Sequence, residues 1–349
     1  MKKLFTFLGC VAALGLTSCE PKMSGNPIFE GWYADPHAMI YGDTYWVYPT
    51  NSLAFHEQKS MDCFSSKDLV NWTRHEKVLT VDSIKWAKEA MWAPAALERD
   101  GKYYLIFGAN NVPYGDPYGG IGIAVADNPA GPFSDHIGAP LISTIANNAQ
   151  PIDQCLFVDD DGSTYMYYGG WGHCNVVKLS YDLKSVEEFE YNGVVYNEGG
   201  SINPDSVKFM EVTPRGYTEG SFIFKRNGKY YFMWSEGAFT NSSYNVAYAI
   251  SDSPFGPFER IGAAILRNET VGNGAGHHSV VNVPRTDEWY FFYHRRPSMQ
   301  AGPHDRVCCV EKMTFNEDGT INPVAVTAEV QKTNSSLPSS RELFSETAV

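Results

Sequence analysis

The sequence is poor in positive charge, in paired cysteines, in helical periodicity and in long apolar runs, and each shortage removes a class of function. Lysine and arginine total 27 against 40 aspartates and glutamates, a net charge of −13, and no basic block interrupts that balance. Nucleic acid or an anionic membrane surface is therefore disfavoured as a partner. The 7 cysteines show no CxxC and no metal-finger spacing. With the N-terminal Cys10 and Cys19 set aside, Cys63, Cys155, Cys174, Cys308 and Cys309 remain. An odd set without pattern is not a disulfide framework; buried free thiols are expected. No HExxH helix and no Ser-His-Asp arrangement is visible. Gly272-Asn273-Gly274-Ala275-Gly276 lacks a P-loop lysine and leads into a strand, so it is no phosphate cradle.

The one apolar run of note is N-terminal. Lys2 and Lys3 precede Leu4 to Leu16, a stretch too short to span a bilayer comfortably. It ends in Leu16-Thr17-Ser18-Cys19, which resembles the bacterial lipobox. That resemblance implies cleavage before Cys19, lipid on its thiol, and a protein exported and anchored at the periplasm or outer membrane of a bacterium. Residues 1–18 are read as a lipoprotein signal peptide, 19–25 as a short tether, 26–330 as one domain and 331–349 as a tail.

Aromatic residues are abundant, at 14% with 21 Tyr, 20 Phe and 8 Trp, which suits strands and sugar-stacking surfaces. They recur in short strands: Tyr45 to Tyr48, Tyr103 to Phe107, Tyr165 to Tyr168, Tyr230 to Trp234 and Trp289 to Tyr293. Each follows a polar turn such as Asp100-Gly101-Lys102 or Asn227-Gly228-Lys229, a strong hairpin signal. The strands start roughly sixty residues apart, a spacing in the range of propeller blades. A second repeat supports the first: Ala126 to Phe133 and Ser251 to Phe258 carry similar Asp-x-Pro and Gly-Pro-Phe turns. Ser65 to Trp72 and Ser180 to Leu183 fill the same slot elsewhere. The expected fold is all-β, a five-bladed β-propeller. Two stacked β-sandwiches are the alternative, but they would not explain a single period.

Innermost propeller strands converge on a central funnel, so a polar residue at the start of such a strand points at a shared pocket. Asp35, Asp153 and Glu219 occupy places that look equivalent, each leading into a strand that precedes an aromatic one. Three acids in one funnel repel, so at least one pKa should rise. A raised acid beside an ionised carboxylate is the pairing that glycoside hydrolysis uses.

Five stretches then carry a family resemblance: Trp32-Tyr33-Ala34-Asp35-Pro36, Met91-Trp92-Ala93-Pro94-Ala95, Gln150-Pro151-Ile152-Asp153, Tyr217-Thr218-Glu219-Gly220-Ser221 and Gly276-His277-His278-Ser279. In this order they resemble glycoside hydrolase family 43, propellers acting on arabinose- and xylose-containing polysaccharides. The resemblance implies Asp35 as general base, Glu219 as general acid and Asp153 as modulator of the acid's pKa. It implies inversion, with base and acid about 6.5–9.5 Å apart. Trp92, Trp32 and Phe55 are candidates for stacking on sugar. His277 would lie at the funnel base near a water or a structural calcium held largely through water; no other cofactor is expected. Arg295 and Arg296 alternate in side, so only one faces the funnel. Motif position favours Arg296, against a sugar hydroxyl and Asp35. The expected activity is exo-hydrolysis of terminal α-L-arabinofuranosyl or β-D-xylosyl residues of arabinan, arabinoxylan or xylan, with the loops Asn110 to Gly120 and Val195 to Thr213 closing one end of the funnel. The alternatives are an endo-arabinanase, a galactose-releasing or configuration-retaining hydrolase, and a non-catalytic glycan-binding lipoprotein.

Overall fold

The computed structural model describes residues 25–110, 119–200 and 208–328. The signal peptide, nearly all of the tether and the 331–349 tail lie outside the described residues, as do 111–118 and 201–207 of the two expected walling loops.

Five antiparallel sheets follow one another along the chain, each with four strands in sequence order, and the third gains a fifth where Met210–Glu211 pairs with its third strand. Blade 1 runs Tyr33–Tyr41, Thr44–Asn51, Ser60–Ser66 and Thr73–Thr80. Blade 2 runs Trp92–Arg99, Lys102–Ala109, Gly120–Ala126 and Ser134–Asp135. Blade 3 runs Cys155–Val158, Thr164–Tyr168, Asn175–Leu179 and Val186–Glu187. Blade 4 runs Glu219–Arg226, Lys229–Glu236, Asn245–Ser251 and Gly262–Ala263. Blade 5 runs Asn273–Asn282, Trp289–Arg296, Val307–Phe315 and Ile321–Asn322. The expected five-bladed propeller is what the chain forms.

The repeating aromatic strand is the second strand of every blade, and its composition follows from where it sits. Side chains of a strand alternate between faces, and here both faces are covered by a neighbouring blade. Tyr45 and Val47 pack with Tyr290 and Phe292 of blade 5, whereas Tyr48 packs with Leu105 and Phe107 of blade 2. On blade 3, Met166 and Tyr168 join Ile106 and Ile121 of blade 2, while Tyr165 and Tyr167 join Phe232 of blade 4. The tyrosine hydroxyls need partners once buried. Tyr48 donates to Pro129 O (2.8 Å), Tyr167 to Pro254 O (2.6 Å) and Tyr231 to Gly319 O (2.7 Å). The first two acceptors belong to the two repeated proline turns, so those turns dock each blade onto its predecessor. All five core cysteines are buried free thiols.

Ring closure falls to the N-terminal segment. Ile28 N–H donates to Cys308 O (3.0 Å) and Tyr33 N–H to Arg306 O (2.8 Å), so the chain before blade 1 runs along the third strand of blade 5. The Asn26 amide bonds Val310 O (3.1 Å) and Glu311 Oε1 (2.8 Å), and its oxygen accepts from Val310 N–H (3.0 Å). Past Pro323, Val324–Ala325 pairs in parallel with Ile265–Leu266 beyond blade 4.

Candidate active site

The funnel is built from one local device repeated around the ring. In blades 1, 2, 4 and 5 the inner strand carries an extra residue against its partner, between Ala34 and His37, Trp92 and Ala95, Glu219 and Phe222, and Gly276 and His278. Such bulges bend a strand and re-aim its side chains. The residue entering each bulge has positive φ: Asp35 (49°), Ala93 (45°), Gly220 (64°) and His277 (38°), with Asp153 (55°) matching them on blade 3. L-residues adopt this region only where the surroundings hold them. The holding groups are visible. Ala93 N–H donates to Thr50 Oγ1 (2.7 Å), His277 N–H to Ser235 Oγ (3.0 Å) and Asp35 N–H to His294 Nδ1 (3.1 Å). Each acceptor stands on the second strand of the preceding blade, with blade 5 preceding blade 1.

This device corrects the expected equivalence of the three acids. Asp35 and Asp153 occupy the positive-φ position, while Glu219 stands one residue earlier, paired with Ser235. Glycine at 220 is needed there, because a Cβ would lie 2.9 Å from Ser235 Oγ and 3.3 Å from His277 Nδ1.

All three acids face one cavity of about 320 Å³, lined by Asp35, Phe55, Trp92, Gln150, Ile152, Asp153, Trp171, Glu219, Phe239, His277 and Arg306. Asp35 Oδ1 lies 3.2 Å from Arg306 Nη1, 3.1 Å from His294 Nδ1 and 3.5 Å from His277 Nδ1. Burial alone would raise its pKa, but Arg306 first, then His277, outweigh it and hold Asp35 far below the usual carboxylate range. Glu219 goes the other way. Burial, then the Asp153 charge, push it up to about 7, against the lowering effects of the Tyr244 hydroxyl, which donates to Oε1 at 2.8 Å, and of His277. His277 sits between carboxylates, its Nδ1 also 3.3 Å from Asp153 Oδ2. Burial opposes its charge, but Asp153 and Asp35 raise it to about 9. His294 is pushed down to about 4, chiefly by burial. The result is one carboxyl held ionised and one able to carry a proton near neutrality, at the same cavity.

The remaining expected residues divide. Trp92 and Phe55 line the cavity with rings 5.1 Å apart. Trp32 is not among the lining residues and is 46% exposed. The arginine expectation is corrected. Arg296 bonds Asn273 Oδ1 and Phe239 O, and Arg295 bonds Val271 O and Asn26 O. Arg306 is the arginine on Asp35. Arg296 instead supports the backbone of Phe239, whose ring lies 5.5 Å from the Arg306 guanidinium. Sequence reasoning also missed Tyr244, Trp171 and Phe239. Tyr244 stacks on His294 at 5.7 Å, and Gly276 leaves it room, since a Cβ there would lie 2.2 Å from the ring. The glycines on both sides of Trp171 were the one signal that could have marked it. Calcium takes six to eight oxygens, and among the described residues no three His, Cys, Asp or Glu side chains are grouped to hold a metal.

A carboxyl held ionised and a protonatable one facing the same cavity are the pair that glycoside hydrolysis uses. The family model of glycosyl hydrolases family 43 matches residues 24–321, and the chain belongs to that family. It is 38% identical over 328 residues to a β-D-galactofuranosidase of Aspergillus niger, covering 90% of this chain and 88% of that one. It is 31% identical over 345 residues to a xylosidase/arabinosidase of Humicola insolens, covering 84% and 98%. Among solved structures, an α-L-arabinofuranosidase of Clostridium thermocellum superposes with a TM-score of 0.66 at 30% identity, covering 88% of this chain and 97% of that one.

Proposed function

We propose that the protein is an inverting exo-glycosidase that releases terminal α-L-arabinofuranosyl or β-D-xylosyl residues from plant cell-wall polysaccharides. The carrying observation is that Asp35, held against Arg306, and Glu219, bonded by the Tyr244 hydroxyl, face one cavity. Asp35, ionised, takes a proton from the water that attacks the anomeric carbon. Glu219, protonated, gives its proton to the departing glycosidic oxygen. Asp153 raises Glu219 by like charge, and the imidazolium of His277 keeps the three acids from repelling one another apart. Arg306 takes the part expected of Arg296, orienting Asp35. Phe55 and Trp92, with Phe239 and Trp171, supply apolar faces around the acids on which a sugar ring can stack. A structural calcium near His277 would be held through water, and none of these steps passes through it.

One relative favours a second reading, the removal of β-D-galactofuranose. That sugar shares the ring stereochemistry of α-L-arabinofuranose and adds one exocyclic carbon, so discrimination rests on room for a single hydroxymethyl group. The p-nitrophenyl glycosides of α-L-arabinofuranose, β-D-xylose and β-D-galactofuranose, run beside arabinan and xylan, separate the readings. Turnover of the first or second supports the main reading, and turnover of the third alone replaces it.

Cys19 is proposed to carry lipid and to tether the enzyme at a bacterial envelope membrane. The Cys19→Ala variant should then leave the membrane fraction, and a variant that stays there refutes the anchor.

A further inference from the structure

We propose that Arg296 is a positioning residue for both catalytic carboxyls: it latches the connection 237–244 of blade 4, one part of which steadies Arg306 on Asp35 while its end brings the Tyr244 hydroxyl to Glu219. The proposal rests on Asp35 and Glu219 being base and acid. Arg296 is not among the cavity-lining residues, so it acts through these groups and not on the sugar.

Arg296 is buried, and its guanidinium is spent on neutral acceptors. Nε and Nη2 both donate to Asn273 Oδ1, the first at 3.1 Å, and Nη1 donates to Phe239 O at 3.3 Å. Asn273 is fixed in turn, its amide donating to Ser298 O (2.8 Å). A buried cation is a poor source of stability for its own sake, so its value lies in what it holds. Glycine at 274 lets the latch and the connection meet, since a Cβ there would lie 2.8 Å from Arg296 Nη2 and 3.0 Å from Asn241 O.

The connection is cross-bonded within itself. Ala238 N–H donates to Ser243 Oγ (3.0 Å), Ser243 N–H to Asn241 Oδ1 (2.8 Å) and Asn241 N–H to Ala238 O (3.1 Å). A hold on Phe239 O is therefore transmitted to Tyr244. The Phe239 ring lies 5.5 Å from the Arg306 guanidinium, whose hydrogen bonds go to Asp35 Oδ1 (3.2 Å) and Ser52 Oγ (3.0 Å). The Tyr244 hydroxyl donates to Glu219 Oε1 (2.8 Å). One connection thus carries a contact toward the base and a contact toward the acid, and Arg296 ties it to blade 5.

The test is Arg296→Lys, which keeps the charge and loses the planar fork. It is assayed on the p-nitrophenyl glycoside of the sugar the wild type releases and on the disaccharide of that sugar. The nitrophenolate leaves with little help from an acid and reads the Asp35 side, whereas the disaccharide also needs the proton of Glu219. Arg296→Lys should lower kcat/KM on the disaccharide about ten- to hundredfold, with a smaller fall on the nitrophenyl glycoside. Losing the Tyr244 bond removes a group that lowers the Glu219 pKa, so the descending pH limb should move to higher pH, as it should in Tyr244→Phe. The double variant should add little to the shift of either single one. Unaltered kcat/KM and an unmoved limb, even with a lower Tm, overturn the proposal, and so does a fully additive double variant. If Arg296→Lys does not fold, Asn273→Ala removes only the acceptor of the fork and should give the same pattern. A wild type that cleaves neither substrate refutes the parent reading of the site, a result distinct from these.

Discussion

Asp35 and Glu219 face the same cavity, and what stands beside each shifts its pKa in the opposite direction. Asp35 has Arg306, His277 and His294 within 3.5 Å. Glu219 has one hydroxyl donor, from Tyr244, and the charge of Asp153. The pH dependence follows with its sign. Glu219 acts as acid only while protonated, so kcat/KM should fall as pH rises through about 7. Asp35 stays ionised well below the ordinary carboxylate range, so no acid limb should be seen near that range. A pH–rate profile between pH 4 and 9 should show a single descending limb; a bell centred in that window would contradict the assignment. Glu219→Gln should lower kcat on a sugar leaving group by about 10²–10⁴-fold and abolish the descending limb.

At the scale of the element, the bulged inner strand is the part that converts a blade into a site. It depends on acceptors contributed by the neighbouring blade. Thr50, fully buried, accepts the Ala93 N–H. Thr50→Val keeps the shape and leaves that N–H without a partner, at a cost of about 1–3 kcal/mol. Urea denaturation should show a lower midpoint at unchanged slope; an unaltered midpoint would mean the latch contributes nothing. The second strands were legible in the sequence, because a strand buried on both faces is mostly aromatic or branched along its middle. The acids were legible because each precedes such a hairpin. The one-residue offset of Glu219 was not, since a bulge depends on partner register and leaves no periodic trace. Arg306 was equally hidden: it sits in an irregular loop, whereas Arg295 and Arg296 lie on a regular strand that drew the expectation to them.

Across the whole molecule, the ring is closed by a strap and not by a shared blade. Asn26 holds it to Val310 and Glu311 through three hydrogen bonds. Glu311 is pushed up to about 7 by burial, against four surrounding donors from Thr327, Tyr293 and Asn26. Asn26→Ala should cost about 2–4 kcal/mol and lower the Tm. Because the strap leads directly into Tyr33 and Asp35, activity should be lost at a lower temperature as well. A variant that melts like the wild type would remove the strap from the account of stability. The funnel itself needs the closed ring, since Asp35 on blade 1 takes its partners from blade 5. The central claim is that this closed ring sets an ionised base and a protonated acid on opposite faces of one sugar. The most direct test follows, by proton NMR, the anomer first released from an α-L-arabinofuranoside or a β-D-xyloside. Inversion predicts that the β-L-arabinose or α-D-xylose signal appears first and mutarotation follows; initial release of the substrate's own anomer would contradict the assignment of Asp35 as a base.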